Sequence, residues 1–99
     1  MKLYIVKYCA NECDDLGYDS PYPIYYSLDR DMTYGRFSEY RNMEKKHLTE
    51  YLYNHPELKD NEDYSIEVDT ENEFEYNMGK WFYKYCFEEV ELEKDLRYN

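Results

Sequence analysis

Apolar and polar positions along the chain change period several times, and each change marks an element. Residues 2–8 alternate Leu3, Ile5 and Lys7 with Tyr4, Val6 and Tyr8, a period of two in β-forming residues that predicts a strand. Residues 11–23 break the pattern with Gly17, Pro21 and Pro23 among Asp and Ser, and read as a connection that is long for a hairpin. Residues 24–28 predict a second short strand, antiparallel to the first. From residue 32 to residue 55 the spacing shifts to three and four. Phe37, Tyr40, Met43, His47 or Leu48, and Tyr51 with Leu52 make one apolar stripe of a helix. Thr33 or Ser38 supplies its N-cap. Pro56 ends it, because the residue before a proline is pushed out of helical geometry.

Residues 59–63 read as a solvated turn. Residues 64–69 then set Tyr64, Ile66 and Val68 on one face and Ser65, Glu67 and Asp69 on the other, the pattern of a half-buried strand. Thr70 precedes Glu73 at capping-box spacing. Phe74, Met78, Trp81, Phe82 and Tyr85 follow at helical spacing, so residues 70–86 predict a second helix, weakened by Gly79. The same segment also places Trp81, Tyr83, Tyr85 and Phe87 at strand spacing. Residues 87–93 predict a last strand, with Val90 and Leu92 inward and Glu89, Glu91 and Glu93 outward. The predicted architecture is α+β: a single small domain over residues 1–99, in ββαβαβ order, whose antiparallel or mixed sheet carries two helices on one face.

Composition changes the picture of the core. Leu, Ile, Val and Phe together make only 18 of the 99 residues, and the net charge is −11, a combination that leans towards disorder. Fifteen tyrosines and one tryptophan restore the missing apolar area, each ring bringing a polar tip that can reach water. A thin, aromatic core follows. No run approaches the ~18 apolar residues that span a bilayer. The first nine residues have no apolar h-region, so no signal peptide is expected. An odd number of cysteines, three, suits reduced thiols. Together with a residue bias typical of AT-rich genomes, these features predict a protein of the bacterial cytoplasm.

The charge also excludes partners. Twelve basic residues face 23 acidic ones, so neither direct nucleic-acid binding nor an anionic membrane surface fits. Catalytic signatures are missing: there is no nucleophile elbow, P-loop, dinucleotide fingerprint or metalloprotease motif. His47 and His55 lie two turns apart on one predicted helix and read as boundary residues. Cys9 and Cys13 form a Cys-x3-Cys pair without the second short-spaced pair that structural zinc sites carry, and no calcium loop is present. Neither a catalytic residue nor a metal nor a cofactor is expected. Fifteen tyrosines cannot all fit inside so small a domain, and those left at the surface make good anchors for a protein partner.

The acidic pattern is the strongest signal. Residues 1–59 hold ten acidic and eight basic side chains, a net of −2, whereas residues 60–99 hold thirteen and four, a net of −9. Glu67, Asp69, Glu71, Glu73 and Glu75 fall at every second position, as do Glu89, Glu91 and Glu93. On one face of a strand such residues are about 6.7 Å apart. Successive phosphates of one nucleic-acid strand are separated by a similar through-space distance, on the order of 6–7 Å. These eight carboxylates are the candidate partner-binding residues. Clustered like charges destabilise a small domain, a cost easier to understand where the field is used.

In size, acidity, aromatic content and freedom from catalytic motifs the chain resembles the small phage- and plasmid-encoded inhibitors of host defence, the anti-CRISPR and anti-restriction proteins. The resemblance implies an acidic face occupying the basic nucleic-acid cleft of a nuclease complex, with guanidinium–carboxylate pairs replacing guanidinium–phosphate ones. It implies no particular fold and carries over no functional residue. The expected partner is a basic protein, bound by a monomer or a homodimer. The rival readings are an adaptor that binds a basic host protein without mimicry, and a small-ligand-binding protein.

Overall fold

A computed structural model describes residues 1–12 and 20–92. Five strands make one antiparallel sheet: β1 Lys2–Glu12, β2 Tyr22–Ser27, β3 Ile66–Asp69, β4 Glu73–Met78 and β5 Trp81–Glu91, in spatial order β2-β1-β5-β4-β3. One helix, α1 Arg30–Asn54, packs on one face, followed by a 3-10 turn at Pro56–Leu58. The spine is the pairing of β1 with β5, from Lys2 opposite Glu91 to Glu12 opposite Trp81. The order is therefore ββαβββ with one α-helix, and the expected ββαβαβ fold with two helices on one face is corrected.

The second predicted helix is a hairpin. Phe74, Tyr76 and Met78 stand opposite Tyr85, Tyr83 and Trp81, so each of these three pairs sets a ring against a ring or thioether on the same face. Gly79 and Lys80 form the two-residue turn, and Gly79 has φ +67°, the positive value that the first central position of a primed turn requires. The glycine that weakens a helix is the residue the hairpin needs. Thr70 also caps a different structure. Its Oγ1 accepts from the amides of Asn72 at 3.3 Å and Glu73 at 3.1 Å, while its own amide donates to the Glu73 carbonyl at 2.9 Å and closes the turn between β3 and β4.

Two further expectations change with register. Glu67 is the extra residue of a bulge between the Ile66–Tyr76 and Val68–Glu75 pairs, so Ile66 and Val68 fall on opposite faces instead of sharing one. On β5, Val90 pairs with Leu3 on the face away from the helix and is exposed. Glu89 and Glu91 share the face of Phe87.

The core lies between α1 and the sheet and consists of Val6, Phe37, Leu48, Phe74, Tyr76, Tyr85 and Phe87. Asp29, not Thr33 or Ser38, caps α1: its Oδ1 accepts from the Met32 amide at 3.0 Å. Thr33 is buried and shares a hydrogen bond with Ser27 across to β2, 2.6 Å between hydroxyls. Of the predicted stripe, Phe37 and Leu48 are buried and Tyr40, Tyr51 and Leu52 half-buried, but Met43 and His47 are exposed. The core position between Phe37 and Leu48 belongs to Glu44.

Candidate functional site

The structure separates the seven described members of the predicted carboxylate row rather than aligning them. Asp69 ends β3 on the helix side, where Lys45 Nζ reaches it at 2.5 Å and Arg41 at 3.9 Å. Glu67, in the bulge, accepts from Ser65 Oγ and Asn77 Nδ2, each at 2.9 Å. Glu71 is exposed in the turn before β4, where its carbonyl accepts from the Tyr34 hydroxyl at 3.0 Å. Glu73 and Glu75 point to the face away from the helix, opposite Cys86 and Lys84, and Lys84 lies 3.9 Å from Glu75. Glu89 meets Lys2 at 3.1 Å, and Glu91 meets the N-terminal ammonium at 3.3 Å. The bond to Glu89 raises the Lys2 pKa, as the contact of Glu88 raises that of Lys7. Glu93, like Cys13, lies outside the described residues. Asp69, Glu75, Glu89 and Glu91 are thus engaged by cations of their own sheet or helix. Glu67, Glu71 and Glu73 have no ion pair among the described residues.

A second group of carboxylates just after α1, of which Asp60, Glu62 and Asp63 lie in the predicted solvated turn, is more available. Glu57, Asp60, Glu62 and Asp63 are all exposed, with no ion pair among the described residues and Lys59 the only cation within 57–67. The segment is well supported. Leu58, Asn61 and Tyr64 donate their amides to the carbonyls of His55, Leu58 and Asn61 in succession, at 2.9, 3.0 and 3.0 Å. Asn61 Oδ1 accepts from the Asp63 amide at 2.9 Å, an Asx turn. The Asp63 and Ser65 carbonyls accept from Gly79 and Asn77, each at 2.9 Å, which ties the turn to the hairpin. Tyr64 stacks on Tyr51 at 5.7 Å between centroids, and Tyr51 stacks on His55 at 4.3 Å. The turn follows the C-terminal end of α1, the negative end of its dipole, and no basic residue occupies the last helical turn. Helix dipole and side-chain charge therefore add. The run Asp60, Asn61, Glu62, Asp63 just after Pro56 was the sequence signal for this pole.

Glu44 is a third kind of carboxylate. It is 8% exposed, and it accepts from the Tyr76 hydroxyl at 2.5 Å and the Tyr85 hydroxyl at 3.3 Å. Burial, then the bond to Glu44, drives the Tyr76 pKa far above the ordinary tyrosine value; burial, then the Glu44 charge, does the same for Tyr85. Tyr8 and Tyr83 are raised as well, chiefly by burial, with the Glu44 charge contributing. Sequence reasoning missed this residue because the predicted stripe took Met43, which is exposed, in place of the polar Glu44.

The remaining chemistry is weak. A cavity of about 490 Å³ on the face away from the helix is lined by Lys7, Lys84, Glu73, Glu88 and Cys86 among others. Its two lysines are already held by Glu88 and Glu75, and burial pushes the Cys86 thiol up, away from a reactive thiolate. Among the described residues no three His, Cys, Asp or Glu side chains gather as metal ligands, and no helix is long and apolar enough to cross a membrane. No protein-family model matches the chain, and neither a curated protein nor a solved structure matches it.

Proposed function

We propose that this chain is a non-catalytic inhibitor of the anti-CRISPR or anti-restriction type, a phage protein that binds a cationic surface where a host nuclease holds nucleic acid. The observation that carries the reading is the acidic pole. Glu57, Asp60, Glu62 and Asp63 are exposed and unpaired among the described residues, on a turn anchored by backbone hydrogen bonds and ring stacking. Fixed carboxylates with no internal counter-ion lose little on meeting guanidinium groups. Each charge-assisted contact then replaces one that the partner makes to phosphate. Glu67, Glu71 and Glu73 of the original row extend the surface along the β3–β4 hairpin, while the cation-engaged members serve the sheet.

The test is capture of partners from a bacterial lysate by the tagged chain at low salt, followed by elution with duplex DNA. The expected result is a basic nucleic-acid-binding protein that the duplex releases. A partner retained at saturating duplex would instead indicate an adaptor that binds away from the nucleic-acid cleft.

A further inference from the structure

The two edges of the sheet are built differently. β3 has four residues, a bulge at Glu67, and two carboxylates, Glu67 and Asp69. Shortness, a bulge and charge are all devices that keep an edge from pairing with another chain. β2 is bulged as well, at Ile24 between the Val6–Tyr25 and Lys7–Pro23 pairs, and carries Pro23, but it has six residues, Tyr22, Pro23, Ile24, Tyr25, Tyr26 and Ser27, and none of them is an acid or a base. Tyr26 is 66% exposed, and Leu28 and Met32, which follow it towards the helix, are 58% and 56% exposed. The carboxylates that follow β2 are Asp29 and Asp31. Asp29 caps α1, and Asp31 lies 3.8 Å from Arg30. The Arg36 guanidinium sits over the Tyr25 ring, 4.8 Å from its centroid.

We propose that the β2 edge pairs with the β2 edge of a second copy of this chain, giving a two-fold dimer with a continuous ten-stranded sheet. Charge selects the edge. Copies carrying −11 each repel wherever free carboxylates face one another, and β2 is the edge strand without any. Topology selects the symmetry. Every neighbour in the order β2-β1-β5-β4-β3 is antiparallel, so β2 and β3 run in the same direction. With the helices kept on one face, head-to-tail addition would be parallel and would use the short, acidic edge, whereas β2 against β2 about a two-fold axis normal to the sheet is antiparallel. Pro23 and the bulge at Ile24 confine the new ladder to residues 25–27, with Tyr26 against its copy and Tyr25 opposite Ser27. Tyr26, Leu28 and Met32 supply the apolar contact. That contact is smaller than the ~800 Å² per partner of a standard interface, so the dimer is weak and concentration-dependent.

Sedimentation equilibrium of the full chain from about 1 µM to about 1 mM tests this. The mass should rise from one chain to two and stop. Raising salt from about 0.05 M to about 0.5 M should tighten the dimer at least threefold by screening repulsion between copies. This is the opposite of the salt response expected for the basic partner, so the two readings fail separately. Tyr26→Lys and Leu28→Glu, both at exposed positions, should each weaken the dimer at least tenfold with an unchanged circular dichroism spectrum. Glu67→Lys on the other edge should not weaken it. One chain's mass at the highest concentration, growth past two chains, or a dimer indifferent to both β2 variants would overturn the proposal.

Discussion

The carboxylates held by partners on the helix and the sheet and those of the turn after α1 have the same chemistry and opposite surroundings. Glu44 is buried under Tyr76 and Tyr85, Asp69 is held by Lys45 and Arg41, and Glu75, Glu88, Glu89 and Glu91 each face a cation across a strand. Glu57, Asp60, Glu62 and Asp63 face none among the described residues. Net charge counts both groups alike. Under the proposed function a partner meets chiefly the second, because displacing an internal cation costs what the new contact gains.

Variants that separate the groups sharpen the comparison. The largest effect belongs to Glu44. Glu44→Ala strands two tyrosine hydroxyls beside a new void and should lower unfolding stability in urea by about 2–4 kcal/mol. Glu44→Gln keeps an acceptor and should lose about half as much. A milder loss than Gln for the Ala variant would mean that Glu44 is not the partner holding these hydroxyls.

Alkaline pH probes the same layer. Tyr76 and Tyr85 have raised pKa values when folded, so the unfolded chain releases their protons first, near the ordinary value of about 10. Lys2 and Lys7, also raised, lose their stabilising charge over the same range. Both act in one direction: stability is complete below about pH 10 and falls as pH rises beyond it. Thermal melts from about pH 8 to about pH 11.5 should show the midpoint flat and then dropping, with the drop reduced in Tyr76→Phe.

Gly79→Ala tests the support of the acidic turn. An added methyl would lie 3.1 Å from the Tyr64 hydroxyl oxygen at a φ of +67°. The strain should cost about 1–2 kcal/mol and speed hydrogen exchange at the Tyr64 amide. Asp69→Asn, which loosens two partly exposed ion pairs, should cost less, about 0.5–1 kcal/mol by chemical denaturation.

The sequence revealed β1, β2 and the body of α1, because each carries an unambiguous period. Residues 70–86 were ambiguous for a physical reason: with rings at 74, 76, 81, 83, 85 and 87, steps of two and steps of three or four both find apolar partners. Gly79, read as a weakness of the helix, is the residue that the primed turn needs. Glu44 was hidden because the position looks polar until Tyr76 and Tyr85, 32 and 41 residues away, are folded over it. The carboxylate row was legible as a count of charges but not as a surface. Which members are engaged depends on the β1–β5 register, and Lys2 finds Glu89 only through that long-range pairing.

The most direct test of the acidic pole neutralises the same number of carboxylates in each group. One variant carries Glu57→Gln, Asp60→Asn, Glu62→Gln and Asp63→Asn; the other carries Glu75→Gln, Glu88→Gln, Glu89→Gln and Glu91→Gln. Both move the net charge from −11 to about −7, so a difference between them reports position rather than total charge. Affinity for the captured basic partner, measured by titration at one fixed salt concentration, should fall at least tenfold for the turn variant and less than threefold for the strand variant. The turn variant's stability should stay within about 0.5 kcal/mol of the parent. A folded turn variant that binds as the parent does, beside a strand variant that does not bind, would contradict the account.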